Sequence, residues 1–234
     1  MNTEQARFNM VEQQIRTWDV LDQDVLDLLY VVRREDFVPP AWKALAFSDL
    51  EIPLGENAGT VDALKSKDGG NDSERMWPPK MEARVVQSLA LKKSDRVLEV
   101  GTGSGYLTAL LAHRSQQVFS VEINPRLKAA AEDSIKSFAA VDNVTLEVGD
   151  AAQGWSKHGP YDVIVLTAST PVLPQAFLEQ LKPGGRLFAI VGDAPVMEAR
   201  LVTCVATGSY TSVDLFETCF PPLRNALQPK RFSF

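Results

Sequence analysis

The stretch Val97-Leu98-Glu99-Val100-Gly101-Thr102-Gly103-Ser104-Gly105-Tyr106 decides the fold of this 234-residue chain. An apolar run ends in a glycine-rich turn, and a helical pattern follows from Tyr106 to His113. Glycines let the backbone approach a ligand closely, and a helix N-terminus presents free N–H groups. The sequence therefore predicts a strand, a turn and a helix that bind a ligand at the carboxyl end of the strand.

Further short apolar runs alternate with helical patterns along the rest of the chain. The predicted strands are 96–100, 118–121, 144–148, 162–166, 186–191 and two more between 201 and 216. Strands that alternate with helices form a mainly parallel sheet, whereas the last two strands predict an antiparallel hairpin at its edge. We therefore predict an α/β fold with a doubly wound, mainly parallel, seven-stranded sheet.

The N-terminal part differs from this pattern and is predicted to form a helical extension. Apolar residues recur at helical spacing through the first fifty residues, and Pro39-Pro40 interrupt this region. Residues 55–73 are polar and rich in glycine, which is typical of a long surface loop or arm. The predicted boundaries are an extension over 1–78 and a ligand-binding domain over 79–234.

The composition limits the partners and the cellular location that we expect for this protein. Acidic residues outnumber basic ones, 30 against 24, and the formal charge of −6 disfavours nucleic acid and anionic membranes as partners. No run approaches the roughly 20 apolar residues that span a bilayer, and residues 1–5 do not resemble a secretory signal. Cys204 and Cys219 have no histidine near them, which fits neither a zinc site nor a disulfide framework. We therefore expect a cytoplasmic protein without a bound metal.

The glycine turn and the acid before it favour a cationic ligand. The glycines run Gly-x-Gly-x-Gly, rather than in the Gly-x-Gly-x-x-Gly order of dinucleotide-binding folds. Glu99 would repel a pyrophosphate, whereas its carboxylate suits a positive charge. S-adenosylmethionine combines a sulfonium and an amino group with an adenosine, so we predict it as the cofactor and S-adenosylhomocysteine as the product.

Two further acids follow the next two predicted strands. Glu122 is placed to accept both ribose hydroxyls, and Asp150 is placed to accept a hydrogen bond from the adenine amino group. Singly, each could be a solvated acid at a strand end, but three acids at neighbouring strand ends favour cofactor binding. The predicted cofactor contacts are Glu99, Gly101, Thr102, Gly103, Glu122, Ile123, Asp150 and Ala151.

These motifs resemble those of class I S-adenosylmethionine-dependent methyltransferases, and more narrowly the protein-L-isoaspartate O-methyltransferase family. The similar segments are 10–15, 34–39, 46–49, 54–55, 97–106, 149–150, 160–162, 166–168 and 180–187. The resemblance implies a Rossmann-like methyltransferase fold and methylation of the free α-carboxylate of isoaspartyl residues in damaged proteins or peptides. With a reference pKa of about 4, such a carboxylate is ionised at neutral pH, so the reaction requires positioning rather than a general base.

The chain departs from that family in one segment before the cofactor domain. The family has Gln-Thr-Ile-Ser, any residue, then Pro, where this chain reads Glu74-Arg75-Met76-Trp77-Pro78-Pro79. Trp77 therefore stands in place of a serine that is linked to activity in the family. Either Trp77 is a core anchor, or it forms an apolar wall for a different acceptor. Trp77 and Thr167 are the predicted acceptor-site residues, and Thr170 is predicted to cap a helix.

The departure at Trp77 keeps two other functions open. One is a methyltransferase for a small-molecule acceptor, and the other is a non-catalytic S-adenosylmethionine-binding protein that acts through partner contacts. A nicotinamide-dependent oxidoreductase is disfavoured by the glycine spacing. The sequence does not set the oligomeric state, although an ordered arm over 55–73 would allow a dimer.

Overall fold

The computed structural model describes residues 2–55, 74–138 and 141–229, so the predicted loop over 55–73 lies outside the described residues except for Gly55. The helices are α1 (Thr3–Asn9), α2 (Gln23–Val31), α3 (Pro79–Leu89), α4 (Tyr106–Arg114), α5 (Pro125–Ser137) and α6 (Gln175–Glu179). The strands are β1 (Ile52–Pro53), β2 (Arg75–Met76), β3 (Arg96–Val100), β4 (Gln117–Glu122), β5 (Val144–Val148), β6 (Tyr161–Thr170), β7 (Leu181–Asp193), β8 (Val196–Ala206) and β9 (Ser209–Thr218). Shorter π-helical or 3₁₀ segments are Met10–Ile15, Arg16–Trp18, Arg34–Asp36, Pro40–Leu45 and Ser156–His158.

A seven-stranded sheet runs through the molecule in the order β5-β4-β3-β6-β7-β8-β9. Strands β3 to β7 pair in parallel, and β8 and β9 continue the sheet as an antiparallel hairpin. This confirms the predicted doubly wound, mainly parallel sheet. The chain moves outward from β3 to β5 and returns to β6 on the other side of β3, and ligands bind beyond the strand ends at such a reversal.

Alternating residues of the central strands pack on opposite faces of the sheet. In β6, Val163 and Val165 belong to the cluster that contains residues of α3 and α4. Ile164 and Leu166 instead pack with Phe177 of α6. Because helices cover both faces, the central strands are near-continuous apolar runs, which is why the sequence pattern predicts them well.

The N-terminal helices pack into the same core as the sheet. The cluster on the α3 side contains Met10, Ile15 and Leu29 together with Val97 of β3. The apolar stripe of α3 is fully covered, since Met81, Val85, Val86 and Leu89 are all buried. The apolar core thus crosses the boundary at residue 78, and the division into two domains stays a prediction.

The end of β6 corrects one prediction. The predicted helix cap at Thr170 is wrong, because Ser169 and Thr170 still pair with β7 and α6 begins only at Gln175. The Thr170 hydroxyl donates to the carbonyl of Val172 at 2.7 Å instead.

Across the described ranges, no helix combines the length and apolar character needed to cross a membrane. The same ranges contain no cluster of three or more His, Cys, Asp or Glu residues arranged to hold a metal ion.

Candidate active site

The glycine turn after β3 is held against the end of β6. Gly101 has φ +96°, and a Cβ atom there would lie 2.2 Å from Oγ1 of Thr167. That hydroxyl lies 2.9 Å from the carbonyl oxygen of Val100 and 2.7 Å from that of Gly101, and donates to this pair of carbonyls. Only glycine allows this close approach, since a side chain would both strain the backbone and displace the hydroxyl.

A crevice of about 140 Å³ lies beyond the carboxyl ends of the parallel strands. Every predicted site residue lines it: Trp77, Glu99, Gly101, Thr102, Gly103, Glu122, Ile123, Asp150, Ala151 and Thr167. The structure therefore brings together residues spread over some ninety positions of sequence. Their individual roles toward a ligand stay predictions.

Glu99 is the most unusual group of the crevice. Its side chain is fully buried, and Oε2 accepts hydrogen bonds from Thr108 Oγ1 at 2.5 Å and Ser120 Oγ at 2.6 Å. Its other oxygen, Oε1, meets no hydrogen-bond partner among the described residues. Burial raises the pKa of Glu99 to about 8, and the charge of Glu122 adds to this effect. A buried oxygen left without a donor costs about 1–3 kcal/mol, so a cationic group at this place would relieve the penalty.

Glu122 organises the backbone around the crevice. Its Oε2 accepts from the N–H of Gly103 at 3.0 Å, and its Oε1 accepts from the N–H of Asn124 at 3.0 Å. The carboxylate thereby joins the glycine turn to the start of α5, where Asn124 caps the helix. Each oxygen has a second lone pair, so the same carboxylate can still accept hydroxyls from a ligand.

Asp150 lies at the exposed end of the crevice. Its Oδ1 accepts from the N–H of Ala152 at 3.0 Å, and its Oδ2 accepts from Nδ2 of Asn225 at 2.8 Å. The second contact connects the C-terminal segment, residues 219–229 after β9, to the crevice. Sequence reasoning did not foresee this partner, because Asn225 lies in a stretch without periodicity or motif.

The indole of Trp77 packs into the core while it lines the crevice. The residue is 6% exposed, and its ring centroid lies 5.6 Å from that of Phe220 and 6.4 Å from that of Phe188. The carbonyl of Trp77 also accepts a hydrogen bond from Nη2 of Arg34 at 2.7 Å. This packing favours the core-anchor interpretation, and a part of Trp77 in acceptor recognition stays a prediction.

A buried ion pair at the wall of the crevice was not predicted from the sequence. Arg34 is fully buried, pairs with Glu82, and donates through Nε to the carbonyl of Ala46 at 3.0 Å. Burial raises the pKa of Glu82, and Arg34 opposes that shift. The available signal was that Glu82 precedes Val85 by three residues on the buried stripe of α3, so the helical period places it inside.

The C-terminal segment closes one wall of the crevice. Ser169 holds it, because its hydroxyl donates to the carbonyl of Phe220 at 2.8 Å and its carbonyl accepts from the N–H of Leu223 at 2.8 Å. Arg224 then pairs with Glu74, which also accepts from Nδ2 of Asn124 at 2.9 Å. Pro222, Leu223 and Arg224 line the crevice as a result.

Two solved structures share this architecture. A protein-L-isoaspartate O-methyltransferase aligns with a TM-score of 0.72 at 21% identity, over 95% of this chain and 66% of that one. A Plasmodium falciparum protein assigned to the same activity, in complex with S-adenosyl-L-homocysteine, aligns with a TM-score of 0.69 at 20% identity. The second alignment covers 92% of this chain and 96% of that one. At these identities the two likenesses establish the fold alone.

Sequence comparisons establish the relationship. The Protein-L-isoaspartate(D-aspartate) O-methyltransferase (PCMT) family matches residues 5–227. The protein-L-isoaspartate O-methyltransferase 1 of Syntrophobacter fumaroxidans is 37% identical over 202 residues, 86% of each chain. The protein-L-isoaspartate O-methyltransferase of Methanoculleus marisnigri is 36% identical over 218 residues, 93% of this chain and 90% of that one. This chain belongs to the protein-L-isoaspartate(D-aspartate) O-methyltransferase family.

Proposed function

We propose that this chain transfers a methyl group from S-adenosylmethionine to the free α-carboxylate of an L-isoaspartyl residue in a protein or peptide. The observation that carries the proposal is that Glu99, Glu122 and Asp150 converge on one crevice beside the glycine turn, in a chain of this family. A cytoplasmic location belongs to the same proposal.

The residues of the crevice fit S-adenosylmethionine. The unpartnered Oε1 of Glu99 suits a cationic group, and Glu122 keeps acceptor capacity for ribose hydroxyls. Asp150 would hold the adenine amino group at the exposed end. Gly101, Thr102 and Gly103 of the turn line the crevice, so a ligand there can approach their backbone closely.

The proposed reaction does not require a side chain of the protein to act as a general base. S-adenosylmethionine, when bound, supplies a methyl carbon that accepts an electron pair from the acceptor oxygen as the carbon–sulfur bond breaks. The acceptor carboxylate is already ionised at neutral pH, so no side chain has to remove a proton. Trp77 and residues 222–224 line the crevice and would limit the access of water to the reacting atoms, and the turn beside Thr167 would help to position them.

The proposal is tested with one peptide in two forms. A peptide that contains L-isoaspartate is incubated with the protein and methyl-labelled S-adenosylmethionine, and the same sequence with ordinary L-aspartate is the control. We expect label only in the isoaspartyl peptide, in a form that alkali releases as methanol because the product is an ester. A calorimetric titration with S-adenosylhomocysteine measures cofactor binding separately.

The outcomes separate the proposed function from its alternatives. Binding of S-adenosylhomocysteine without methylation of the isoaspartyl peptide would overturn the assigned acceptor. Turnover of a small-molecule acceptor would then favour the other methyltransferase function, and no turnover of any acceptor would favour the non-catalytic one. The packing of Trp77 on Phe188 and Phe220 supports the isoaspartyl assignment, because the indole is held in the core rather than offered to a planar acceptor.

A further inference from the structure

Trp18 carries an exposed indole on the surface of the N-terminal extension. The residue is 51% exposed, although contact between a large apolar ring and water is unfavourable. The ammonium of Lys80 lies 3.7 Å from the centroid of the ring, and this cation–π contact covers one face of the indole. The remaining surface of the ring faces the solvent and is available to a partner. Tryptophan is among the residues that contribute most to binding at protein interfaces.

Side chains from successive turns of α3 hold the segment that contains Trp18. Lys80 contacts the ring, and Arg84, one turn later, donates from Nη1 to the carbonyl of Trp18 at 3.1 Å. Gln87 continues the row, because its Oε1 accepts from the N–H of Leu21 at 2.7 Å. The indole is therefore held in place before a partner binds, and such pre-organisation lowers the entropic cost of binding.

The contacts of Lys80 place the indole near the predicted acceptor site. A smaller cavity of about 40 Å³ adjoins the cofactor crevice, and Trp77 lines both. Lys80 follows Trp77 by three residues, and its Nζ pairs with Oδ2 of Asp49 at 2.6 Å. Asp49 in turn precedes Glu51, which lines the smaller cavity, by two residues. Trp18 therefore packs on an ion pair whose two members both lie close to the wall of this cavity.

A polypeptide substrate has to extend beyond the two cavities. The name of the family places its methyl acceptor, an isoaspartyl residue, in a protein. The crevice and the smaller cavity measure about 140 Å³ and about 40 Å³, which is too little for a peptide of several residues. The residues on either side of the isoaspartyl residue therefore lie on the surrounding surface, where Trp18 is held.

We propose that Trp18 is a specificity-determining residue whose indole binds an aromatic or long apolar side chain that flanks the isoaspartyl residue. The inference rests on the proposed function, since the flanking residue belongs to an isoaspartyl protein or peptide. Lys80 is paired with Asp49, so the surface selects a ring rather than a charge. The contact lies away from the reacting atoms and is equally strong in the ground state and the transition state, so it lowers KM and leaves kcat unchanged.

The experiment measures methylation of a peptide series by wild type, Trp18→Ala, Trp18→Phe and the control Phe8→Ala. Each peptide carries one isoaspartyl residue in a sequence of glycine and serine. Phenylalanine replaces one residue at a time, at the three positions on either side, a reach of about 10 Å. Phe8 is a matched control, because it is 49% exposed and lies outside both cavities.

We expect phenylalanine at one or more of these positions to lower KM for wild type roughly 2- to 10-fold, the contribution of one aromatic pair. Trp18→Ala should abolish this preference, and Trp18→Phe should keep part of it. Phe8→Ala should show the preference of wild type. Because the preference is a ratio of two KM values for one protein, a general loss of stability does not imitate the result.

The outcomes separate the inference from the proposed function. Equal KM values of wild type for all peptides, or an unchanged preference in Trp18→Ala, would overturn the inference and leave the proposed function intact, since isoaspartyl peptides are still methylated. Absence of methylation of every peptide by wild type would overturn both. A dimer that dissociates in Trp18→Ala while the preference persists would assign the indole to an interface between copies of this chain, and would also overturn the inference.

Photo-crosslinking of the wild type provides a second measurement that does not depend on the folding of a variant. A peptide with benzoylphenylalanine at the preferred position is bound to the protein saturated with S-adenosylhomocysteine and then irradiated. We expect mass spectrometry to find the crosslinks in residues 16–21 or 80–84. Crosslinks confined to other parts of the chain would overturn the inference.

Discussion

Replacement of Glu99 by glutamine tests whether a buried carboxylate takes the positive charge of the methyl donor. Glu99 is fully buried and its pKa is raised by burial to about 8. At pH 7 a carboxyl group with that pKa is about 90% protonated, and a cation bound beside it requires the ionised form. Ligand binding should therefore release most of one proton from Glu99 at pH 7. Below pH 8, affinity should rise with pH by up to about tenfold per unit, or about 1.4 kcal/mol.

Calorimetry measures this proton directly. S-adenosylhomocysteine, which keeps the amino group, is titrated into wild type and Glu99→Gln between about pH 6 and about pH 9, in two buffers of different ionisation enthalpy. Glutamine still accepts from Thr108 and Ser120 but does not ionise, so proton release from this site should vanish. Affinity should also fall roughly 10- to 100-fold through loss of a charged contact. The free ligand is identical in both titrations, so the difference between the two proteins isolates the proton release that is linked to Glu99.

The same group sets a pH dependence of stability in the ligand-free protein. Burial raises the pKa of Glu99 from 4.5 to about 8, so the folded state holds a proton that the unfolded state loses. The contribution of Glu99 to the free energy of unfolding is therefore fully present below pH 4.5 and is lost as the pH rises toward about 8. Glutamine does not ionise, so the stability of Glu99→Gln relative to wild type should increase as the pH rises from 4.5 to about 8. Thermal unfolding at several pH values measures this difference. In the binding experiment, equal proton release by wild type and Glu99→Gln would refute the assignment of the released proton to Glu99.

Three further substitutions test the architecture of the site. Glu122→Ala should weaken S-adenosylhomocysteine binding by about 1–3 kcal/mol, because the carboxylate both meets the ligand and holds the glycine turn; unchanged affinity in calorimetry would mean that the ribose lies elsewhere. Gly101→Ala should destabilise the fold by about 1–2 kcal/mol from its left-handed backbone alone, with more from the contact to Thr167, as denaturant unfolding would measure. Arg34→Met should cost about 3–5 kcal/mol by leaving Glu82 buried and unpaired, and adding Glu82→Leu should recover most of it; no recovery in unfolding experiments would contradict the pairing.

The sequence predicted the parts of the fold that depend on local pattern. The bounds of β3 and β5 agree with the prediction, because each is an apolar or alternating run flanked by turn signals. Strand β6 extends beyond its predicted apolar run, since Ser169 and Thr170 pair with Ile190 and Val191 after a bulge. Strand β7 extends at both ends, because Leu181 pairs with β6 and residues 192–193 pair with β8. Hydrogen bonding between strands, rather than hydrophobicity, sets those limits.

The crevice could be predicted where its residues follow strands. In a parallel sheet the carboxyl ends of neighbouring strands meet at one edge, so Glu99, Glu122 and Asp150 are brought together by topology alone. The partners Arg34 and Glu82 could not be paired in this way, because 48 residues and no shared ladder separate them. The C-terminal wall could not be predicted either, since it depends on side-chain contacts of Ser169, Glu74 and Asp150 with a segment that has no sequence pattern.

The substitution of Trp77 for the family's serine has a different meaning in the structure than in the sequence. In the sequence it replaces a small hydroxyl with a bulky ring at the acceptor site. In the structure the ring packs on Phe188 and Phe220, so most of the added volume fills core space rather than the acceptor's place. What this segment lacks relative to the family's sequence is therefore a small hydrogen-bonding hydroxyl rather than space.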